Sequence, residues 1–178
     1  MVERRKALRI TASVEGSSAV FCRQERRSAM QNSSASTFSP SACKVLLIED
    51  DPEQLAFWSV ALRNCASHYS VLEAAGGQEG LELLRHQKVD CVVLDLDLST
   101  SSGFQVLLDI VPDRERPKTA VLIFTRLQNP TLAKMSVENG AQAYLLKQNT
   151  SPDILDKAIH KAMTSVASVL GEKPKVCS

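Results

Sequence analysis

From Lys44 onward one pattern governs the chain: a short apolar run gives way to a stretch with helical periodicity, and the pair returns five times. The apolar runs fall at 45–48, 69–74, 89–94, 120–124 and 143–146. The third is apolar throughout except for Asp90, as expected of a strand covered on both faces. Between the runs, apolar side chains recur at helical spacing, as with Leu55, Trp58 and Leu62, or Leu81, Leu83 and Leu84. The helix boundaries are marked as well. Asp51 before Pro52 suits an N-cap and first helical position, and Asn139-Gly140 is a helix stop. Gly103 opens a short helix that Pro112 ends. Ser151-Pro152-Asp153 begins a long helix with Ile154, Leu155, Ala158, Ile159, Ala162, Met163 and Val166 in one stripe. Strands alternating with helices imply right-handed crossovers around a parallel sheet, so the fold class is α/β, doubly wound, with five strands.

The pattern does not extend upstream. Residues 28–41 hold six serines with Asn32, Thr37 and Pro40 and no periodicity, which reads as a linker. The charge divides at the same seam. Residues 1–43 hold seven Lys or Arg and three Glu, a net of +4; the remaining 14 basic and 17 acidic groups give −3. The expected organisation is a disordered basic, Ser-rich extension over 1–42, a folded domain over 43–170 and a tail over 171–178. Met30 opens a shorter chain that would lose nothing globular. No apolar run approaches the roughly 20 residues of a membrane span, and the start lacks the apolar core of a secretory signal. Five cysteines without C-x-x-C spacing are expected as reduced thiols of a cytoplasmic protein.

In an open α/β sheet the site lies beyond the carboxyl ends of the strands. Those ends carry Glu49, Asp50 and Asp51 after the first run, Asp95 and Asp97 after the third, Thr125 after the fourth and Lys147 after the fifth. Carboxylates crowded at one rim call for a cation, and hard oxygen ligands favour Mg²⁺. A carboxylate, a hydroxyl and an ammonium beside such an ion suit phosphoryl transfer. His68, His86 and His160 show no ligand spacing and are assigned solvated or structural roles, and Trp58 is assigned to the core.

These segments resemble the receiver domains of response regulators in two-component signalling (CheY-like). The likeness rests on K-V-L-L-I-E-D-D-P at 44–52, V-D-C-V-V-L-D-L-D-L at 89–98 with Gly103 eight residues after Asp95, V-L-I-F-T at 121–125 and A-Y-L-L-K at 143–147. It implies the strand order 2-1-3-4-5. It further implies Asp95 as phosphoacceptor, with Mg²⁺ held by the acidic pair Glu49 and Asp50, by Asp95 and by the backbone carbonyl of Asp97. Lys147 and Thr125 would contact the phosphoryl oxygens, and Thr125 with Tyr144 would form the switch. The implied partners are a histidine kinase or histidine phosphotransfer protein and a downstream protein reached by contact, with no DNA-binding domain, no membrane and no enzymatic output. Ser99, Ser102, Arg126 and Gln148 depart from the residues usual at their positions. The departures motivate an alternative, a pseudo-receiver that binds protein without taking up phosphate; a receiver detached from a hybrid kinase is another.

Overall fold

The computed structural model describes residues 42–177 except 66 and 68. The basic extension and its linker, Met30 and His68 lie outside them. Five strands, β1 (Lys44–Ile48), β2 (Ser70–Ala74), β3 (Cys91–Leu94), β4 (Ala120–Thr125) and β5 (Ala143–Leu146), alternate with five helices. The helices are α1 (Pro52–Arg63), α2 (Gly77–His86), α3 (Gly103–Ile110), α4 (Pro130–Glu138) and α5 (Pro152–Leu170), and a single 3₁₀ turn at Lys147–Asn149 precedes α5. All pairings are parallel, in the order β2-β1-β3-β4-β5.

Strand parity decides which helices cover which face. Side chains alternate along a strand, so Val45, Leu47, Cys91, Val93, Leu122 and Phe124 point to one side, where Trp58 and Leu62 of α1 and Leu155, Ile159 and Met163 of α5 meet them. Leu46, Ile48, Val92, Leu94, Val121 and Ile123 point to the other and pack with Val106 and Leu107 of α3. Trp58 is in the core as expected, edge-on to Phe124 at 4.6 Å between ring centroids. Ile154 is not: it is 46% exposed, because the buried stripe of α5 runs through Leu155, Ile159, Ala162, Met163 and Val166, and position 154 is a full helical step off that line.

Local chemistry fixes the element ends. Asp51 caps α1 by accepting from the backbone N–H of Glu53 and Gln54, with Pro52 at the first helical position. After α4, Gly140 takes φ +98°, a left-handed conformation costly for any side chain with a Cβ. Ser102, in place of an acid, caps α3 through the N–H of Gln105.

The cysteine expectation is corrected for one pair. Cys43 and Cys177 form a disulfide with Cα atoms 5.4 Å apart, while Cys65 and Cys91 are free. Cys43 immediately precedes β1, and the chain beyond α5 returns to the same edge of the sheet, which brings together residues 134 positions apart.

Candidate functional site

Each strand delivers its last side chain to the carboxyl edge of the sheet. β1 ends at Ile48, so Glu49 and Asp50 project past the edge; β3 ends at Leu94, followed by Asp95; β5 ends at Leu146, followed by Lys147. The register runs Ile48 to Leu94, Leu94 to Ile123 and Ile123 to Tyr144, so Glu49 and Asp95 stand level, with Thr125 one residue and Lys147 two residues further out along the same edge.

The centre of the site is the Lys147 ammonium. Its Nζ donates to Oδ2 of Asp95 at 2.6 Å and to Oε2 of Glu49, and the three side chains are each at most 4% exposed. One cation thus holds two carboxylates out of water. Burial pushes the Glu49 carboxyl above its ordinary value, against the opposing pull of the Lys147 hydrogen bond. Asp95 Oδ1 accepts from the backbone N–H of Asp97 at 2.9 Å, which orients the carboxylate within its loop. Asp50 Oδ2 accepts from the backbone N–H of Ser99 at 2.5 Å. Partial burial acts to raise the Asp50 pKa, and the hydrogen bonds from Ser99 outweigh it and hold the carboxyl below the ordinary value.

Gly103 explains how α3 comes so close to the loop. A Cβ there would lie 2.4 Å from the carbonyl oxygen of Asp95 and 2.5 Å from Cα of Leu96, both backbone atoms. The glycine found eight residues after Asp95 is therefore required by packing directly against it.

Thr125 is fully buried, and its Oγ1 accepts from the N–H of Leu127 at 3.3 Å. Tyr144 donates its hydroxyl to the carbonyl of the same residue, Leu127, at 2.7 Å. The two switch candidates are therefore tied to one peptide segment after β4. Sequence reasoning missed this link, because no residue type signals a shared backbone partner. It also missed the Ser99 bond to Asp50, made by a main-chain N–H that any residue except proline supplies.

Arg126 and Gln148, two of the departures, border a cavity of about 590 Å³ together with Gln54, Phe57, Trp58 and Lys147. A bulky cation and an amide thus stand beside the buried ammonium.

The donor set fits a hard divalent cation. Glu49, Asp50 and Asp95 bring three negative charges against the single charge of Lys147, which leaves an excess of two at a rim of oxygen ligands. Among the described residues no three His, Cys, Asp or Glu side chains are gathered tightly enough to hold a metal alone. Mg²⁺ suits such a site, since it keeps several waters and takes only one or two carboxylates.

Residues 45–159 match the family described as response regulator receiver domain. The chain belongs to that family. It is 32% identical over 129 residues to the transcriptional regulatory protein GlrR of Escherichia coli, covering 72% of this chain and 28% of GlrR. It is 28% identical to protein PilH of Pseudomonas aeruginosa, covering 58% of this chain and 84% of PilH. A crystal structure of a response regulator receiver domain protein from Clostridium thermocellum superposes with a TM-score of 0.61 at 27% identity, over 69% of this chain and 95% of that one. The chain spans little more than a quarter of the length of several of the curated relatives it matches. The receiver fold is that of a signalling switch, and the observed strand order is the one the resemblance implies. No helix among the described residues is long and apolar enough to cross a membrane.

Proposed function

We propose that this receiver takes a phosphoryl group on Asp95 from a phosphohistidine of a histidine kinase or phosphotransfer protein, in a Mg²⁺-dependent reaction, and signals by contact with a downstream protein. The observation that supports the reading best is the Lys147 ammonium bonded at once to Asp95 and Glu49 inside a dry rim.

A carboxylate oxygen of Asp95 exchanges its present hydrogen bond for attack on phosphorus, the P–N bond to the donor imidazole breaks, and the imidazole leaves with the bonding pair and takes up a proton from solvent. Lys147, already beside Asp95, is placed to donate to one phosphoryl oxygen. Thr125 is placed to donate to another once its hydroxyl turns from the Leu127 segment. Bound by Asp50, Asp95 and the carbonyl of Asp97, Mg²⁺ would offset the charge on the transferring group. When Thr125 turns inward, Leu127 loses one of its two side-chain partners, which loosens the anchor of Tyr144 and passes the covalent charge to the surface near α4 and β5.

The domain proper is proposed as 43–170, and the cytoplasm as the compartment. Action without an attached output region finds support in PilH, 84% of which the match covers. The second reading, a pseudo-receiver, is favoured by Arg126 and Gln148 beside Lys147. Intact mass after incubation with acetyl phosphate and MgCl₂ separates the two. The proposal expects one added phosphoryl group, lost in Asp95→Asn; no gain, or a gain retained in Asp95→Asn, supports the pseudo-receiver.

A further inference from the structure

The amino-terminal edge of the sheet, opposite the phosphoacceptor, carries a second organised feature. Residues 172–177 cross this edge and are fastened at two points. Lys175 Nζ donates to Oδ2 of Asp90 at 2.7 Å and to the carbonyl of Ala42 at 3.3 Å, and Asp90 Oδ2 also accepts from the N–H of Lys44 at 2.7 Å. Two residues further, Cys177 is bonded to Cys43. The segment begins at Gly171, whose left-handed cap and the bond from Glu172 N–H to Ala167 carbonyl turn the chain out of α5 toward the edge. Glu172, Lys173 and Lys175 form one wall of a cavity of about 410 Å³, whose other sides include Lys88, Lys118 and Met163.

We propose that Cys43–Cys177 is a reversible, redox-operated clasp, which holds residues 172–177 over this edge when oxidised and releases them, opening the cavity, when reduced. The inference stands apart from phosphoryl transfer, because Asp95 lies at the far end of the strands. The two sulfurs are unequal in access. Cys43 is fully buried whereas Cys177 is only partly buried, so exchange enters through Cys177. In the closing direction the Cys177 thiolate attacks a low-molecular-weight disulfide, forms a mixed disulfide and expels one thiolate, which takes the proton Cys177 lost. The Cys43 thiolate then attacks the Cys177 sulfur and expels the second thiolate, which takes the Cys43 proton. Two protein thiols are oxidised and one disulfide is reduced to two thiols. The other described thiols do not compete: Cys91 is buried at 0% exposure and Cys65 is partly covered, and burial pushes both away from the reactive thiolate. Disulfides found in reducing compartments are characteristically transient or redox-sensing, so this part of the inference rests on the cytoplasm proposed above.

The test equilibrates the full chain in glutathione buffers of graded oxidation, alkylates free thiols after acid quench, and reads Cys43 and Cys177 by peptide mass alongside amide hydrogen exchange. The two cysteines are expected to pass together from linked to labelled within the range of the buffers. Exchange at Glu172, the strap residue whose N–H is bonded to the Ala167 carbonyl, is expected to quicken by at least about tenfold on reduction, since beyond the disulfide the strap is fastened through Lys175. Cys177→Ser should show the fast exchange at every ratio, and Cys43→Ser should collect glutathione on Cys177. Labelling of both cysteines at every ratio, linkage at every ratio, or unchanged exchange on reduction in the unmodified chain would each overturn the proposal, as would glutathione accumulating on Cys43 in Cys177→Ser.

Discussion

Replacing Lys147 with methionine keeps most of the side-chain volume and removes the charge that holds the site together. Glu49 and Asp95 are 2% and 1% exposed, and the ammonium is the cation bonded to both. Breaking a buried ion pair by removing one partner costs about 3–5 kcal/mol, because the other charge is left desolvated. With a urea slope of about 2 kcal/mol per M, the unfolding midpoint of Lys147→Met should fall by roughly 1.5–2.5 M at about pH 7 in the presence of EDTA. The loss should shrink in acid. Burial already raises the folded pKa of Glu49 above the ordinary 4.5, so its favourable contribution is complete below that value and is lost as pH rises through the folded pKa. Removing Lys147 raises that pKa further, which makes the variant relatively weakest at neutral pH and nearer to the parent as Glu49 protonates. Adding Glu49→Gln to Lys147→Met should restore part of the midpoint. Urea titrations followed by circular dichroism at several pH values decide the matter. A loss below about 1 kcal/mol at neutrality, or one that does not change with pH, would refute the claim that buried carboxylates depend on this single ammonium.

Other consequences are open to equally direct measurement. Gly103→Ala should cost about 1–3 kcal/mol in the same titration, because its Cβ meets backbone atoms that cannot swing aside; a neutral result would mean the loop after β3 is softer than its packing indicates. Glu73 is held below its ordinary pKa by hydrogen bonds from Ser59 and Arg63, so its contribution is present above 4.5 and fades as pH falls through the lowered folded value. Glu73→Gln should therefore flatten the acid limb of the thermal stability curve slightly, the pair being partly exposed. Millimolar MgCl₂ should raise the melting temperature of the parent, reversibly with EDTA, and should fail to do so in Asp50→Asn; an equal shift in both would place the ion elsewhere.

Much of the fold could be read along the chain because parallel strands covered on both faces leave continuous apolar runs, and 45–48 or 120–124 are too short for helices and alternate with helical stretches. The site was legible for the same reason: once the strands are placed, their ends are placed, and Glu49, Asp50, Asp95, Thr125 and Lys147 fall at one edge of the sheet. What stayed hidden depends on contacts between segments remote in sequence. Cys43 and Cys177 look like unrelated thiols until both are found at the opposite edge of the sheet. Ile154 shares the apolar character of its neighbours, and only the rotational setting of α5 against the sheet turns it outward. The common tie of Thr125 and Tyr144 to Leu127 runs through main-chain atoms, which every residue possesses.

The central claim is that the carboxylate of Asp95 is the group that becomes phosphorylated. Treating the protein with acetyl phosphate and Mg²⁺, reducing it with borohydride and mapping the peptides by mass tests this directly, since an aspartyl phosphate is converted to homoserine while a free carboxylate is left intact. The account predicts homoserine at position 95 and at no other aspartate; homoserine at Asp50 or Asp97 instead, or at none, would contradict it.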